Sequence, residues 1–214
     1  MLKPLVVTVL AVLLSGSPAW AQGVSATTTP APELAPAPLS PSASAFGKQG
    51  SMSVAAERLF GISHTSPSSG SSVTTFSFLG GSGLEAGVAP YSIPRVGFDY
   101  FPADGLSFGL GAEVATVDES SGSMTIVGMN PRVGYAAPVS EGLSFWPRVG
   151  LSYVNASISS QSSYVLAATL EVQVVVTPLR HFGFMIAPTL DVGLAATRSK
   201  LTQIGLHAGL IGWF

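Results

Sequence analysis

The 214-residue sequence contains no cysteine and few charged residues. Without cysteine, the chain cannot form a disulfide scaffold, a cysteine-ligated zinc site, a cysteine nucleophile or a cysteine-anchored lipoprotein. Charged residues make up 9% of the sequence, whereas about 25% is usual in soluble domains. The nine basic residues form no cluster, which argues against a nucleic-acid partner. Instead, 47% of the residues are hydrophobic and 24 are glycines, which is not typical of an ordinary soluble domain.

A short apolar segment at the N-terminus has the pattern of a secretory signal peptide. Lys3 supplies a positive charge, an apolar run extends from Leu5 to Leu14, and Ala19-Trp-Ala21 fits a cleavage site. The alternative is a membrane anchor, but this run is too short to cross about 30 Å of hydrocarbon as a helix. We therefore expect residues 1–21 to be cleaved on export, and no transmembrane helix elsewhere.

Residues 22–50 consist mainly of alanine, proline, serine and threonine, with Glu33 and Lys48 as their only charges. Such a segment buries too little apolar surface to offset the entropy lost on ordering. We therefore expect an extended or disordered periplasmic linker that acts as a spacer. A protein-binding role for its Pro-Ala tract is the alternative.

From Ser51 onward, apolar and polar residues alternate with a period of two, which is the pattern of β-strands. Most of these strands exceed the usual length of about five or six residues, and they suit tilted strands that cross a bilayer. The predicted strands are 52–63, 91–101, 105–117, 124–136, 142–154, 164–177, 181–194 and 203–214.

The connections between these strands alternate in length, as in an outer-membrane barrel. Short connections at 102–104, 138–141 and 178–180 contain proline, whereas the others are polar and mostly longer, above all 64–90. An even number of strands puts both chain ends on the short-turn, periplasmic side. Val73–Leu79 could be a ninth strand, but an odd number would leave one terminus outside, so we predict that it lies in the first surface loop.

The two faces of predicted strands two to eight differ in chemistry. One face carries no charge, and the other carries all seven charged residues. An Arg or Lys that faces lipid costs about 2–4 kcal/mol at the midplane, so the charged face should point inward. A closed barrel also satisfies the backbone groups that an open sheet would leave bare in lipid. The charged residues are Arg95, Asp99, Glu113, Arg132, Arg148, Glu171 and Asp191.

The sequence therefore predicts an all-β fold for residues 51–214. The fold is an eight-stranded antiparallel up-and-down transmembrane β-barrel with short periplasmic turns and longer extracellular loops. A soluble lipocalin-like binder would need the apolar face inside, and seven charges are too few to solvate its outer surface.

The last predicted strand resembles the terminal strand of outer-membrane barrels, whose assembly machinery recognises a final aromatic residue. Its alternate residues from Ile204 to Phe214 point outward, and the sequence ends on Phe214. With the signal peptide and the strand count, the chain resembles the eight-stranded OmpA-like and OmpW-like barrel superfamily. The resemblance implies an outer-membrane location, contact with outer-membrane lipid and lipopolysaccharide, the barrel-assembly machinery as a partner, Phe214 as the assembly signal, and a monomer. We expect no OmpA-type peptidoglycan-binding domain after Phe214.

The inward charges predict a plug in the lumen. Arg95, Arg132 and Arg148 each stand in a Pro-Arg-Val-Gly repeat, at similar distances from their short turns. An eight-stranded lumen is only wide enough for side chains to fill it, so the charges should neutralise one another in hydrogen-bonded pairs. A gated or weak ion path is the alternative.

We expect no enzyme activity and no catalytic, cofactor-binding or metal-binding residues. His64, His181 and His207 show neither metal-ligand spacing nor a triad order. Lipid A deacylases among the eight-stranded barrels carry a His-x-Ser pair near the C-terminus, but here His207 is followed by alanine and glycine. The sequence favours a structural or surface-interaction role, with segment 64–90 meeting an extracellular partner. The alternative is an OmpW-like or narrow transport barrel.

Overall fold

The computed structural model describes residues 46–78, 90–119, 122–158 and 161–214. The predicted signal peptide and linker residues 22–45 lie outside this part of the chain. The described residues include no helix long and apolar enough to cross a membrane. They form a short 3-10 helix at Pro90–Ser92 and the strands β1 (Met52–Pro67), β2 (Val73–Phe78), β3 (Arg95–Tyr100), β4 (Leu106–Glu119), β5 (Gly122–Tyr135), β6 (Ala137–Ser140), β7 (Leu143–Ile158), β8 (Gln161–Leu179), β9 (Phe182–Ala196) and β10 (Leu201–Trp213).

These strand segments form a closed antiparallel barrel with eight strand positions around its wall. We call each of these positions a stave, whether one strand or two successive strands occupy it. Neighbouring strands pair in chain order, and β10 pairs with β1 to close the sheet. β2 pairs with Phe60–Thr65 of β1 and β3 pairs with Met52–Glu57, so β2 and β3 together make one stave. β6 continues the line of β5 along β7 and adds no stave of its own. The predicted fold, an all-β eight-stranded up-and-down barrel, is confirmed.

We call the end of the barrel that holds Met52 and Phe214 the base, and the opposite end the rim. Backbone hydrogen bonds in both directions join Met52 and Phe214, at 2.9 and 3.0 Å. The short turns that join β3 to β4, β6 to β7 and β8 to β9 also lie at the base. The even number of staves therefore brings both ends of the barrel chain to the side of the short turns, as the sequence predicts.

The two-residue period of the sequence becomes an inside and an outside. Along β3, buried and exposed residues alternate without a break. Many large hydrophobic side chains are exposed on the outer surface along the middle of the strands. Examples that are 46–54% exposed are Val96, Phe98, Leu110, Val149 and Leu170.

The assignment of Val73–Leu79 to a surface loop was wrong, because Val73–Phe78 forms strand β2. β1 runs to Pro67 instead of ending near residue 63, so the backbone groups of Phe60–Thr65 need a partner on this side. β2 supplies it. The even strand number is kept because β2 lies in line with β3 instead of forming a ninth stave.

The second predicted strand, 91–101, begins only at Arg95. Pro94 has no N–H to donate to a ladder, and the chain before it turns into the lumen through the short helix at Pro90–Ser92. Tyr91 and Ile93 are each 1% exposed there. The pair shares the odd-numbered phase of the inward residues Arg95 and Asp99, and it lies inside the barrel on the segment before the strand instead of on the strand itself.

The strands also extend further toward the rim than predicted. β7 reaches Ile158 and β8 begins at Gln161, so most of the predicted loop at 155–163 is strand. Long connections are polar in sequence, but polar residues also suit strands whose both faces meet water. The polar composition that suggested loops thus belongs largely to a rim of projecting hairpins.

Residues 46–50, which the sequence assigns to the linker, form turns against the base. Gly47 and Gly50 have positive φ angles of 84° and 82°, which glycine adopts without strain. The Gly50 N–H donates to the Phe101 carbonyl at 2.7 Å, and the Gly105 N–H donates to the Gly47 carbonyl at 2.8 Å. The barrel unit thus includes at least these five residues before the predicted boundary at 51.

Candidate functional site

The strands place all seven predicted charged residues inside the lumen. Each of them is at most 8% exposed, because each stands at a position whose neighbours along the strand point outward. The buried residues are Arg95, Asp99, Glu113, Arg132, Arg148, Glu171 and Asp191.

Two further charges, Glu57 and Arg58, lie in the lumen and were missed by sequence reasoning. They are 1% and 3% exposed although they are adjacent in the chain. A bulge makes this possible: β1 shifts register against β10 between Ala56 and Phe60, and Arg58 takes a φ of 56°. That left-handed conformation costs a residue with a side chain about 1–2 kcal/mol. Adjacent opposite charges break the two-residue period, and this break is the signal that could have found them.

Glu57 is the acceptor shared by three arginines. Arg95 Nε donates to Glu57 Oε2 at 2.6 Å, and Arg132 Nη1 donates to the same oxygen at 2.7 Å. Arg148 Nη1 donates to Glu57 Oε1 at 2.8 Å. The three Pro-Arg-Val-Gly repeats therefore converge on one carboxylate that comes from the bulge.

Glu171 is a second shared acceptor. Arg58 Nη2 donates to Glu171 Oε1 at 2.8 Å, Arg148 Nη2 donates to Oε2 at 2.5 Å, and Arg95 Nη2 also donates to Oε1. Since Arg95 and Arg148 each contact both Glu57 and Glu171, the two carboxylates and the arginines form one connected set.

Asp99 and Asp191 complete this set, which we call the ion-pair network. Asp99 accepts two hydrogen bonds from Arg132, at 3.1 Å from Nε and 2.6 Å from Nη2. Asp191 accepts from Thr169 Oγ1 at 2.7 Å and from Arg58 at 3.4 Å. Bidentate and charge-assisted hydrogen bonds of this kind are the strong ones, and they satisfy charges that are buried away from bulk solvent.

The ion-pair network is electrically balanced without Glu113. Its cations are Arg58, Arg95, Arg132 and Arg148, and its anions are Glu57, Asp99, Glu171 and Asp191. Glu113 lies in the lumen against Gly128, but within the described ranges it makes no hydrogen bond or ion pair. Six of the seven predicted residues thus belong to the network, and Glu113 stands beside it.

Glycines on the inner face make room for the long side chains. A Cβ at Gly97 would meet Arg132 Nη2 and Glu57 Oε1, and a Cβ at Gly109 would meet the Asp99 carboxylate. A glycine inside a strand weakens the strand, because it loses more conformational entropy on folding and has no side chain to pack. Glycine at these positions therefore indicates that another group lies close to the backbone. Here the reason is the close approach of the ion-pair network to the barrel wall.

An aromatic layer fills the lumen at the base. Phe46 lies at its centre, with its ring centroid 5.4, 5.0 and 5.7 Å from those of Phe101, Trp146 and Trp213, all edge-to-face. Trp146 Nε1 donates to Ser107 Oγ at 3.0 Å, so the indole is satisfied although it is fully buried. Trp146 and Trp213, the inward-facing tryptophans, therefore pack in an apolar core.

A second apolar layer fills the lumen on the rim side of the network. Tyr91 and Ile93 pack there on inward residues of four strands. Ser92 ties the segment down, because its hydroxyl lies 2.7 Å from Ser63 Oγ and accepts from Gln203 Nε2 at 2.9 Å. The inward residues are Met124, Ile126, Val154, Ala167 and Leu201.

The three histidines occupy unrelated positions. His64 is exposed beside Thr74, His181 Nδ1 lies 2.9 Å from the Trp213 carbonyl oxygen at the base, and His207 is buried in the lumen. No group of three or more potential metal ligands occurs among the described residues. The arrangement offers no assembled nucleophile, base or metal centre in that part of the chain.

Replacing Phe46 with alanine should lower the free energy of unfolding by about 3–5 kcal/mol, the usual cost of removing a buried Phe side chain. Phe46 is 6% exposed and holds the aromatic layer together. Urea unfolding of the refolded barrel in detergent, followed by tryptophan fluorescence, measures the change. Phe76→Ala is the matched control because Phe76 is 69% exposed. Equal losses in the two variants would show that Phe46 does not support the fold.

Comparison with known proteins gives a match in shape and none in sequence. No family model matches the chain, and no curated protein matches it. Among solved structures, Neisserial surface protein A has 15% identity and a TM-score of 0.57, covering 78% of this chain and 100% of that one. Ail, the attachment invasion locus protein of Yersinia pestis, has 11% identity and a TM-score of 0.48, covering 78% and 99%. The N-terminal barrel domain of Pseudomonas aeruginosa OprF has 13% identity and a TM-score of 0.43, covering 78% and 98%.

Neisserial surface protein A is an eight-stranded outer-membrane barrel. The number of staves in this chain, their antiparallel order and the closure of β10 on β1 agree with that architecture. The chain therefore has the fold of the eight-stranded outer-membrane β-barrels.

Proposed function

We propose that this chain is an integral outer-membrane barrel with a sealed lumen and a structural or surface-interaction role. The observation that carries the proposal is the filling of the lumen at three levels. The aromatic layer closes the base, the balanced ion-pair network fills the middle, and the layer around Tyr91 and Ile93 closes the rim side. A barrel filled in this way has its outer surface, and not its interior, available for function.

The outer surface supports a position in a bilayer. In water, a continuous apolar belt around the barrel would be an aggregation hazard. In a bilayer, an apolar belt is the surface that must face the lipid. Aromatic residues stand near both ends of the belt, as in interfacial girdles. Tyr100 and Tyr135 lie toward the base, and Tyr153 and Tyr164 stack toward the rim with ring centroids 6.1 Å apart.

The rim supports the surface-interaction role. Its strands continue past the aromatic girdle as polar hairpins, where Asn155 Nδ2 donates to Ser162 Oγ at 2.9 Å. Within segment 64–90, residues 68–72 are exposed at the rim between β1 and β2, and 79–89 lie outside the described residues. Rigid strands that carry short polar connections are a common platform for recognition. An extracellular partner would meet this end of the barrel.

Cell fractionation tests the proposed location. The mature chain should be recovered in the outer membrane, and it should migrate faster in SDS unheated than boiled, because a closed ladder has no edge from which to unravel. Recovery as a soluble periplasmic protein with a single mobility would contradict the proposal.

Phe214→Ala should lower the amount of barrel in the outer membrane several-fold while the purified chain still refolds in detergent. The Phe214 side chain is 69% exposed, and its pairing with Met52 uses only backbone groups. The ring therefore adds little to the fold, and its proposed role is recognition by the assembly machinery. Quantitative blotting of membrane fractions measures the loss, with Val139→Ala, another exposed outward residue, as control. A normal level of Phe214→Ala in the membrane would remove the assembly role.

A further inference from the structure

A small cavity opens in the lumen between the bulge of β1 and the wall formed by β8, β9 and β10. Each of these strands contributes a polar residue to its lining: Arg58 on β1, Gln173 on β8, Thr189 on β9 and His207 on β10. These side chains are all at most 4% exposed. The cavity has room for about one water molecule.

The polar side chains that line the cavity carry atoms without hydrogen-bond partners among the described residues. These atoms are Arg58 Nε, Gln173 Oε1, Thr189 Oγ1 and both ring nitrogens of His207. A buried polar atom without a partner costs about 1–3 kcal/mol, and about nine in ten such atoms in folded proteins have one. Four residues with such atoms line one small space, which indicates that the space holds a partner they share.

The bulge explains why a cavity forms at this place. Between Ala56 and Phe60, β1 has two more residues than the paired stretch of β10, so the backbone of β1 bulges into the lumen. The bulged backbone lies close to Gly209 of β10, where a Cβ would meet the Ala56 carbonyl and the Glu57 backbone. A glycine at this position therefore leaves room for the bulge. Two rigid walls that meet at an irregular strand leave a gap that protein side chains do not fill.

The chemistry of the lining selects the ligand. Arg58 Nε donates, Gln173 Oε1 accepts, the Thr189 hydroxyl does either, and a neutral histidine ring offers one donor and one acceptor. An anion would meet the carboxylates of Glu57 and Glu171, which also line the cavity, and a cation would meet the guanidinium groups of Arg58 and Arg95. A small neutral molecule that both donates and accepts fits without repulsion.

We infer that the cavity is a water-binding site, in which ordered water bridges Arg58, Gln173, Thr189 and His207. One water molecule can accept from Arg58 and Thr189 and donate to Gln173 and His207, which uses its full hydrogen-bonding capacity. The bridge ties the bulge, which supplies Glu57 and Arg58 to the ion-pair network, to the opposite wall of three strands. The filled layers at base and rim retain this water, so its residence is long.

Nuclear magnetic resonance of the isotope-labelled, refolded barrel in detergent micelles tests the inference. The wild-type chain should show cross-relaxation between water and the His207 ring and the Ala208 amide, with the sign of long-lived bound water. Thr189→Val with Gln173→Leu removes two of the four groups proposed to hold the water and should abolish both cross-peaks. Ser152→Ala removes a buried hydroxyl elsewhere in the lumen, which bonds to Asn130 and Thr169, and should leave them unchanged.

Each outcome decides the matter. Cross-peaks in the wild type that disappear in the double variant support the site, and absence of cross-peaks in the folded wild type overturns it. Persistence in the double variant would place the water elsewhere and also overturns it. Crystals soaked in bromide provide a check that needs no variant, since anomalous scattering at the cavity would show an anion site in place of a water site. The heat-dependent mobility shift confirms that each variant is folded.

Discussion

Glu57→Gln should destabilise the folded barrel by about 3–5 kcal/mol, the usual cost of removing one partner from a buried ion pair. Glu57 accepts hydrogen bonds from Arg95, Arg132 and Arg148, and it is 1% exposed. A neutral amide keeps the size of the side chain but leaves four buried arginines facing three paired carboxylates. Equilibrium unfolding in urea, in the same detergent for both proteins, measures the loss.

Glu141→Gln is the control for this experiment, because it removes the same charge from an exposed turn at the base. Its effect should stay within about 0.5 kcal/mol, as for most surface substitutions. The double variant Glu57→Gln with Arg132→Gln should lose less free energy of unfolding than the sum of the two single variants, because each single change leaves the partner charge buried without its counter-ion. A loss at Glu57 no larger than at Glu141 would contradict the ion-pair network described above.

Val149→Arg should cost about 2–4 kcal/mol in a bilayer, the price of an arginine at the midplane of a transmembrane barrel. Val149 points outward, is 54% exposed, and lies midway along β7 between the outward aromatics Phe145 and Tyr153. Reversible unfolding from lipid vesicles measures the change directly.

Val139→Arg provides the matched control at another depth. Val139 is 63% exposed on β6 at the base, where the same substitution should cost only about 0–1 kcal/mol because the side chain reaches the interface. The difference between the two sites reports the depth of the surrounding lipid. A cost of no more than about 1 kcal/mol at both sites would mean that the outer surface meets water at both positions, which would favour the soluble binder that the sequence disfavours.

The staves of the barrel could be predicted because their signal is local. Alternation with a period of two fixes which side chains share a face, and the exclusion of charge from lipid fixes which face points inward. Arg132 and Arg148 could therefore be placed in the lumen from sequence alone. Their common partner could not, because Glu57 reaches them only through a bulge whose register depends on β10.

The remaining differences also come from contacts between distant segments. Phe46 follows a linker-like stretch, and its place is set by Phe101, Trp146 and Trp213, which are far away in the chain. Tyr91 alternates as a strand residue would, yet it lies in a short helix before β3, where its ring packs on inward residues of distant strands. Alternation specifies faces and says nothing about which segment fills the space between them.

Conductance of the refolded chain in a planar bilayer is the most direct measurement of whether the barrel is sealed. The filled lumen predicts insertion, shown by protection from protease, without a steady current at physiological salt. A steady open current in the wild type, altered or abolished by Arg132→Gln or Arg148→Gln, would show that ions pass through the network. That result would replace the sealed barrel with a transport barrel.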